Sequence, residues 1–393
     1  MGARRTTIVA NGRVIDPASG WDGVADVAVA DGKIVAVKPG LSRQMSEAEI
    51  VDASGRVVTP GLIDMHTHVF DGLGDFCLPA DRVGVESGVT TVVDAGTAGA
   101  AIFNLARRAV IDHPATRTRV LALLDPNQIY LATKHFICHY LEIANDERNL
   151  DLEDAARVLG ENDDVVVGMK VRATYTADPH RSPFLEGAKS IAGNRPIMVH
   201  MGEFPHTPVI TTDDLLSSLR GGDIITHCFR ASSGVMGADL KPTTIFRDAL
   251  DRGVKLDIGH SSGDFHFGTA RHLIGLGILP NTISTDLNVF NVDHPVRSLA
   301  QTMSKIWALG VPLDGVVAMV TANPAAVIRR EAELGSLAPG RCADISLLRI
   351  VEGQQILSDG YETLAVNRWL EAEGCWRAGE WIAARMPVLE KAA

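Results

Sequence analysis

Five residues in this chain could ligate divalent cations, and a sixth could supply the anion such ions need: His66, His68, His200, His227 and Asp286, with Lys170. His66 and His68 flank Thr67, and the period of two in a β-strand turns both imidazoles to one face. Two imidazoles aimed at one point suit a divalent ion; two ordinary core or surface histidines are the alternative. Further ligating residues close other apolar runs. His200 ends Pro196-Ile197-Met198-Val199-His200, His227 ends Asp223-Ile224-Ile225-Thr226-His227, and Asp286 ends Thr282-Ile283-Ser284-Thr285-Asp286. Lys170 has no lone pair while charged, and as an isolated strand-end lysine it would simply extend its ammonium into water. Buried beside two dications, it would lose its proton. The neutral amine could then add carbon dioxide to become a carbamate with one oxygen for each metal.

The spacing of these residues sets the elements that must position them. From His68 to Lys170 is 102 residues, then 30 to His200, 27 to His227 and 59 to Asp286. With a βα unit of roughly 30 residues, these steps put the ligands on strands 1, 4, 5, 6 and 8 of a barrel, at its C-terminal mouth. Apolar runs predict the eight strands at 61–68, 90–95, 120–124, 165–171, 197–201, 224–228, 254–259 and 282–286. Helical spacing predicts covering helices at 98–111, 211–219, 243–251 and 268–276. The fold class expected is α/β, a (β/α)8 TIM barrel over residues 59–329, close to the roughly 250 residues such a barrel needs.

The two chain ends read differently. Residues 1–58 have a hairpin rhythm, with turn signals at Asn11-Gly12 and Asp31-Gly32 between β-prone runs. Residues 330–393 return to strand-like alternation, with turns at Pro339-Gly340 and Ala378-Gly379. Together they predict a small all-β sandwich built from both ends, with the barrel inserted. Hydrophobic residues at 46% and charged residues at 22% of 393 exclude a disordered or collagen-like chain. The net charge of −11 and the absence of a basic run argue against nucleic acid or an anionic membrane as partner. Five cysteines, Cys77, Cys138, Cys228, Cys342 and Cys375, have no CxxC pairing, which fits a reducing, cytoplasmic compartment. Cys228 follows a ligand and should face the helices as core. Arg4-Arg5 and the Met1-Gly2 start imitate targeting signals, but no apolar segment or second membrane signal follows them.

The run Pro60-Gly61-Leu62-Ile63-Asp64-Met65-His66-Thr67-His68, with Lys170, His200, His227 and Asp286, resembles the binuclear metal-dependent amidohydrolase superfamily. The flanking β segments are similar to that superfamily's composite β domain, so the likeness covers the whole chain. Leu256-Asp257-Ile258-Gly259-His260 with Asp264-Phe265 resembles its amidohydrolase/deacetylase, dihydroorotase-like subgroup. The resemblance implies two divalent metal ions, zinc being expected. It assigns His66, His68 and Asp286 to one ion, His200 and His227 to the other, and a bridging carbamate to Lys170. It also implies a metal-bridging hydroxide that cleaves an amide or ester of a small substrate, with Asp286 moving the proton; Asp286 as a purely structural ligand is the alternative. N-acyl amino acids and O-acyl hydroxy acids are the substrates it suggests, and a homo-oligomer is its usual state.

The charge balance of such a site leaves roughly one positive charge, which favours an anionic substrate. Arg172, two residues past Lys170, is placed to grip a carboxylate, or else to pair with a loop acid such as Asp178. His260 could donate to substrate or be a satisfied loop histidine. Asn127, Tyr130 and His266 are further substrate candidates. Dihydroorotases carry an arginine two residues after the His-x-His pair, where this chain has Phe70, which counts against that activity. Cyclic amide hydrolysis, adenine deamination and a non-catalytic barrel scaffold are the competing readings.

Overall fold

The computed structural model describes residues 6–45, 47–202 and 207–385. The targeting look-alikes at residues 1–5 lie outside the described residues. Five strands come first: β1 (Thr7–Asp16), β2 (Trp21–Ala30), β3 (Lys33–Lys38), β4 (Glu49–Asp52) and β5 (Val57–Pro60). Seven parallel strands follow: β6 (Leu62–Thr67), β7 (Val89–Gly99), β8 (Arg119–Asp125), β9 (Val166–Val171), β10 (Ile197–His200), β11 (Ile224–Thr226) and β12 (Lys255–Asp257). The chain ends on β13 (Ile345–Ser358), β14 (Thr363–Arg377) and β15 (Glu380–Ala383).

β6 to β12 pair in chain order as one parallel sheet. Ile63, Met65, Val93, Leu121, Leu123, Val167, Met198 and Ile224 fill its inner face, and Ala325, Ile328 and Leu334 pack with them. Helices cover the outside, among them Leu152–Glu161, Pro183–Ile191, Thr212–Ser218, Thr244–Asp251 and Phe267–Gly275. Asp151, Ser182, Thr211 and Thr243 cap four of these helices, each side chain accepting a backbone N–H of the first turn. The predicted helix over 98–111 is α-helical only over Ala100–Ala106 and continues as a wider turn over Arg107–Ile111.

The expected eighth strand differs. Residues 282–287 form isolated parallel bridges, Thr282 to Asp257 and Leu287 to Thr67, which close the barrel without a regular ladder. Backbone bonds such as Ile258 N–H to the Thr282 carbonyl and Asp286 N–H to the His66 carbonyl remain, and side chains reinforce them. Asp64 Oδ1 accepts the Thr285 N–H at 3.1 Å, and the Ser284 hydroxyl accepts the Gly259 N–H at 3.0 Å. Asp286 itself has φ +54°, which ends strand geometry.

The second sheet is mixed and joins both chain ends, in the order β15-β14-β13-β5-β1-β2-β3 with β4 beside β1. The turn expected at Asn11-Gly12 is instead a register shift inside the continuous β1. Asn11 adopts φ +64° there, and its N–H goes to Asp26 Oδ1 at 2.8 Å. A Cβ on Gly12 would meet Val58 at 2.5 Å, so only glycine fits. Asp31-Gly32 does turn the chain, from β2 to β3, and Ala378-Gly379 turns it from β14 to β15. Residues 334–344 are not strand; β13 starts at Ile345. No helix among the described residues is long and apolar enough to cross a membrane.

Candidate metal centre

His66 and His68 stand at the mouth end of β6, and each is aimed by a threonine and a buried aspartate. His66 Nδ1 lies 3.0 Å from Thr226 Oγ1, and that hydroxyl donates to Asp257 at 2.8 Å. Since the threonine's one proton is committed, His66 Nδ1 is the donor and Nε2 keeps its lone pair. The same relay holds His68: Nδ1 donates to Thr97 Oγ1 at 2.7 Å, which donates to Asp94 at 2.8 Å. His227 Nδ1 donates to the Gly259 carbonyl at 2.7 Å, again freeing Nε2 for a metal. Second partners of this kind are what orient ligating histidines.

The lone pairs converge. Asp286 Oδ1 lies 3.1 Å from His68 Nε2 and 3.4 Å from His66 Nε2. The ring of His227 is 5.1 Å from that of His66 and 4.5 Å from that of His200. Lys170, buried at the end of β9, places Nζ 2.9 Å from His66 Nε2. Asp286 is fixed by its backbone: its N–H donates to the His66 carbonyl at 2.7 Å, and its carbonyl accepts from the Asn288 and Asn291 side chains.

Electrostatics keeps these groups competent to ligate. Burial, then the Lys170 ammonium, lowers His66 to about 3. Burial, then His227, holds His200 well below the usual imidazole range. Burial opposes the Asp286 charge, but His66 and His68 hold its carboxyl well below the carboxylate range. Burial, then Arg172, brings the Lys170 amine down to about 7. The donor set fits divalent ions on one direct observation: His227 Nε2 and Asp286 Oδ1 are buried with no hydrogen-bond partner among the described residues. Burying such atoms without a partner is costly; a metal bond would remove the cost.

A cavity of about 390 Å³ opens over this centre. His66, His68, Lys170, His200, His227 and Asp286 all line it, so the structure brings together all six expected ligands. Arg172 and Tyr130 also line it. Arg172 pairs with buried Asp125 at 2.7 Å, not with Asp178, and its guanidinium lies 3.9 Å from the centre of the Tyr130 ring. Three other substrate candidates are elsewhere. His260 is fully buried, with Nδ1 on the Ser261 carbonyl and Nε2 on Lys305 at 2.7 Å, so both nitrogens are consumed. Asn127 is folded back onto Asp125. His266 caps the Phe267–Gly275 helix and faces Glu362.

The sequence reading missed two features of the cavity. Asp264 brings a carboxylate into a cluster with His227 and Asp286 whose ligand atoms lie within 4.8 Å of one another, and it sits 3.4 Å from Arg230. Its place in the Asp264-Phe265 pattern after His260 was the available signal. Phe76, Phe136 and Phe290 form an aromatic wall with ring centres 5.8 to 6.4 Å apart. They come from three separate loops and carry no periodic signal. Cys228 is core, as expected, and all five cysteines are free thiols.

A barrel with these residues gathered at its mouth is the architecture of a class of hydrolases, and known proteins place the chain within it. The sequence profile of the Amidohydrolase family matches residues 49–179. A deacetylase of Agrobacterium fabrum is 36% identical over 335 residues, covering 84% of this chain and 79% of the relative. A deacetylase of Brucella anthropi is 34% identical, covering 89% of this chain and 86% of the relative. The chain belongs to the amidohydrolase superfamily. Among solved structures, it is similar to a dihydroorotase at 32% identity and TM-score 0.83, covering 97% of this chain and 99% of the other. An adenine deaminase structure is similar at 27% identity and TM-score 0.84, covering 96% of this chain and all of the other.

Proposed function

We propose that this protein is a metal-dependent deacylase that cleaves an amide or ester bond in a small carboxylate-bearing substrate, an N-acyl amino acid or O-acyl hydroxy acid. The observation that carries the reading is the set of three histidines locked as Nδ1–H tautomers, their Nε2 atoms turned toward one buried, unpartnered Asp286 oxygen. His66, His68 and Asp286 would hold one divalent ion, His200 and His227 the other, and Lys170 as its carbamate would lie between them. Zinc is the expected metal. Bound there, the ions would acidify water and polarise a carbonyl.

The chain's own groups supply the rest. Asp286, ionised and pinned through its backbone, accepts the proton of the attacking water at its carboxylate and delivers it to the leaving nitrogen or oxygen. Arg172, held flat by Tyr130, presents N–H groups to the substrate carboxylate while Asp125 fixes its orientation. Phe76, Phe136 and Phe290 shield the reacting carbonyl from bulk water and receive apolar substituents. Phe70 is buried against Phe103, ring centres 6.3 Å apart, so that position has no carboxylate grip of the dihydroorotase type. The deacetylase names of the Agrobacterium and Brucella relatives support acyl cleavage over base deamination.

The test is a screen of zinc-loaded protein against N-acyl amino acids, O-acyl hydroxy acids, cyclic amides and adenine, with metal content measured in parallel. Turnover of the acyl acids alone, with about two metals per chain, is expected. Metal-free protein that zinc cannot activate would favour the scaffold reading, and turnover confined to cyclic amides or adenine would replace the proposal.

A further inference from the structure

At the end of the barrel opposite the metal centre lies a second cavity, a cleft of about 560 Å³. It forms where the chain enters β10, β11 and β12, so five segments far apart in sequence, at 193–196, 220–223, 255, 281 and 323–329, meet there. Four cationic side chains line it, Arg195, Arg220, Lys255 and Arg329, against the single carboxylate of Asp223. That leaves three positive charges in excess, in a chain whose net charge is −11. The linear sequence has no basic run because no segment contributes more than one of these residues.

The charges divide by what they already do. Arg220 is structural: it grips Asp223 at 2.9 and 3.1 Å and donates to the carbonyls of Gly193 and Arg195. Asp223 is almost completely buried and also accepts the N–H groups of Ile197 and Arg220, so its capacity is filled within the wall. Arg329 donates to the Asn194 carbonyl at 2.9 Å. Arg195 and Lys255 are half-buried and form no ion pair among the described residues. Two unpaired cations beside two further guanidinium groups repel one another, and concave walls concentrate their field. The amide side chains of Asn194, Asn281 and Asn323 complete the lining. This size suits a small molecule rather than a macromolecular surface.

We propose that this cleft is a binding site for a small phosphorylated anion, with Arg195 and Lys255 as its principal contacts, Arg220 as a fixed positive charge in its wall and the exposed Arg329 adding a further charge. Phosphate suits a site of several cations with no carboxylate to spare, since guanidinium groups bind its oxygens in pairs and lysine adds a point charge. The site is separate from the metal centre and stands independently of the hydrolase reading.

The test uses the zinc-loaded full chain and inorganic pyrophosphate, by calorimetric titration and thermal melting at low and high salt. Saturable binding at one site per chain, a raised melting temperature and weakening with salt are expected. Arg195→Ala/Lys255→Ala should weaken that binding by about tenfold or more while hydrolytic turnover is unchanged. Lys255→Gln, a single change at a half-exposed side chain, should weaken it less and serves if the double variant is misfolded. Absence of saturable binding to the unaltered protein would overturn the proposal. So would equal affinity in the variants, which would put the anion elsewhere, the metal centre included.

Discussion

The two sides of the barrel seam hold their candidate ligands by different means. On β6, His66 and His68 ride a strand hydrogen-bonded to β7, and Thr226–Asp257 and Thr97–Asp94 set their rings. Across the seam, Asp286 sits on a segment without a regular ladder, held by separate backbone hydrogen bonds, Asp286 N–H to the His66 carbonyl and His260 N–H to the Ser284 carbonyl among them, and braced by side chains. Asp64 takes Thr285, and Asp257 takes Thr282 and Ser284. Asp257 therefore serves both sides at once. The contrast teaches that a candidate ligand can be placed without a regular ladder where buried carboxylates reinforce a few backbone hydrogen bonds.

Five substitutions would break or sharpen this contrast. The largest effect is expected at Asp286→Asn, which keeps the segment's shape but removes the proton acceptor: kcat should fall by about 10³-fold with near-normal metal content by elemental analysis. Near-normal turnover would reduce Asp286 to a structural ligand. Thr226→Val and Thr97→Val each cut one relay on the β6 side, and metal affinity should drop about 10- to 100-fold in chelator competition. Unchanged affinity would mean strand geometry alone aims the rings. Arg172→Met should raise KM about tenfold for acidic substrates and spare uncharged esters; an equal change for both would argue against carboxylate recognition.

The smallest effect concerns Lys305, which braces the irregular side. Its buried Nζ reaches His260 at 2.7 Å and the Pro295 carbonyl at 2.8 Å, tying the loop after β12 to the chain beyond Asp286. Burial lowers this amine to about 7, whereas the unfolded chain holds its proton to the ordinary lysine value. Between those two values the unfolded state binds the extra proton, so this group makes the fold more stable as pH rises, by at most about 1.4 kcal/mol per unit. Urea unfolding from pH 7 to 9 should show a shallower rise in Lys305→Met than in the unaltered protein, because Lys170, also brought down to about 7, keeps its own contribution. Identical pH slopes would mean the amine stays charged when folded.

Much of this arrangement was legible in the sequence because it obeys short periods. Strand-end ligands at multiples of one βα unit gave the barrel and all six residues of the centre, and apolar runs gave seven strands. What escaped depends on contacts across the chain. For His260 a substrate donor and a satisfied loop histidine were both open, and Lys305, 45 residues later, satisfies its ring. For Arg172 the sequence left a carboxylate grip and a pair with a loop acid such as Asp178 open; its ion pair is with Asp125 at the end of β8. Asn11-Gly12 carries a hairpin signature, yet the neighbouring Asp26 and Val58 make a bulge the better use of the same left-handed residue. Asp264 and the phenylalanine wall sit on loops, where no repeat betrays a side chain's direction.

The pairing of β5 with β13 joins Val58 to Leu347 and Thr59 to Ser346, with the entire barrel between them in the chain. During synthesis, the ribosome releases the first partner long before the second exists. The exposed edge of β5 must therefore wait, unzipped, while the barrel emerges, and the last stretch of the chain acts as the clasp. Ser346 of that stretch also accepts the Leu62 N–H at the start of β6 and donates to the Gly88 carbonyl, so its arrival fastens the barrel's first strand as well as the sheet.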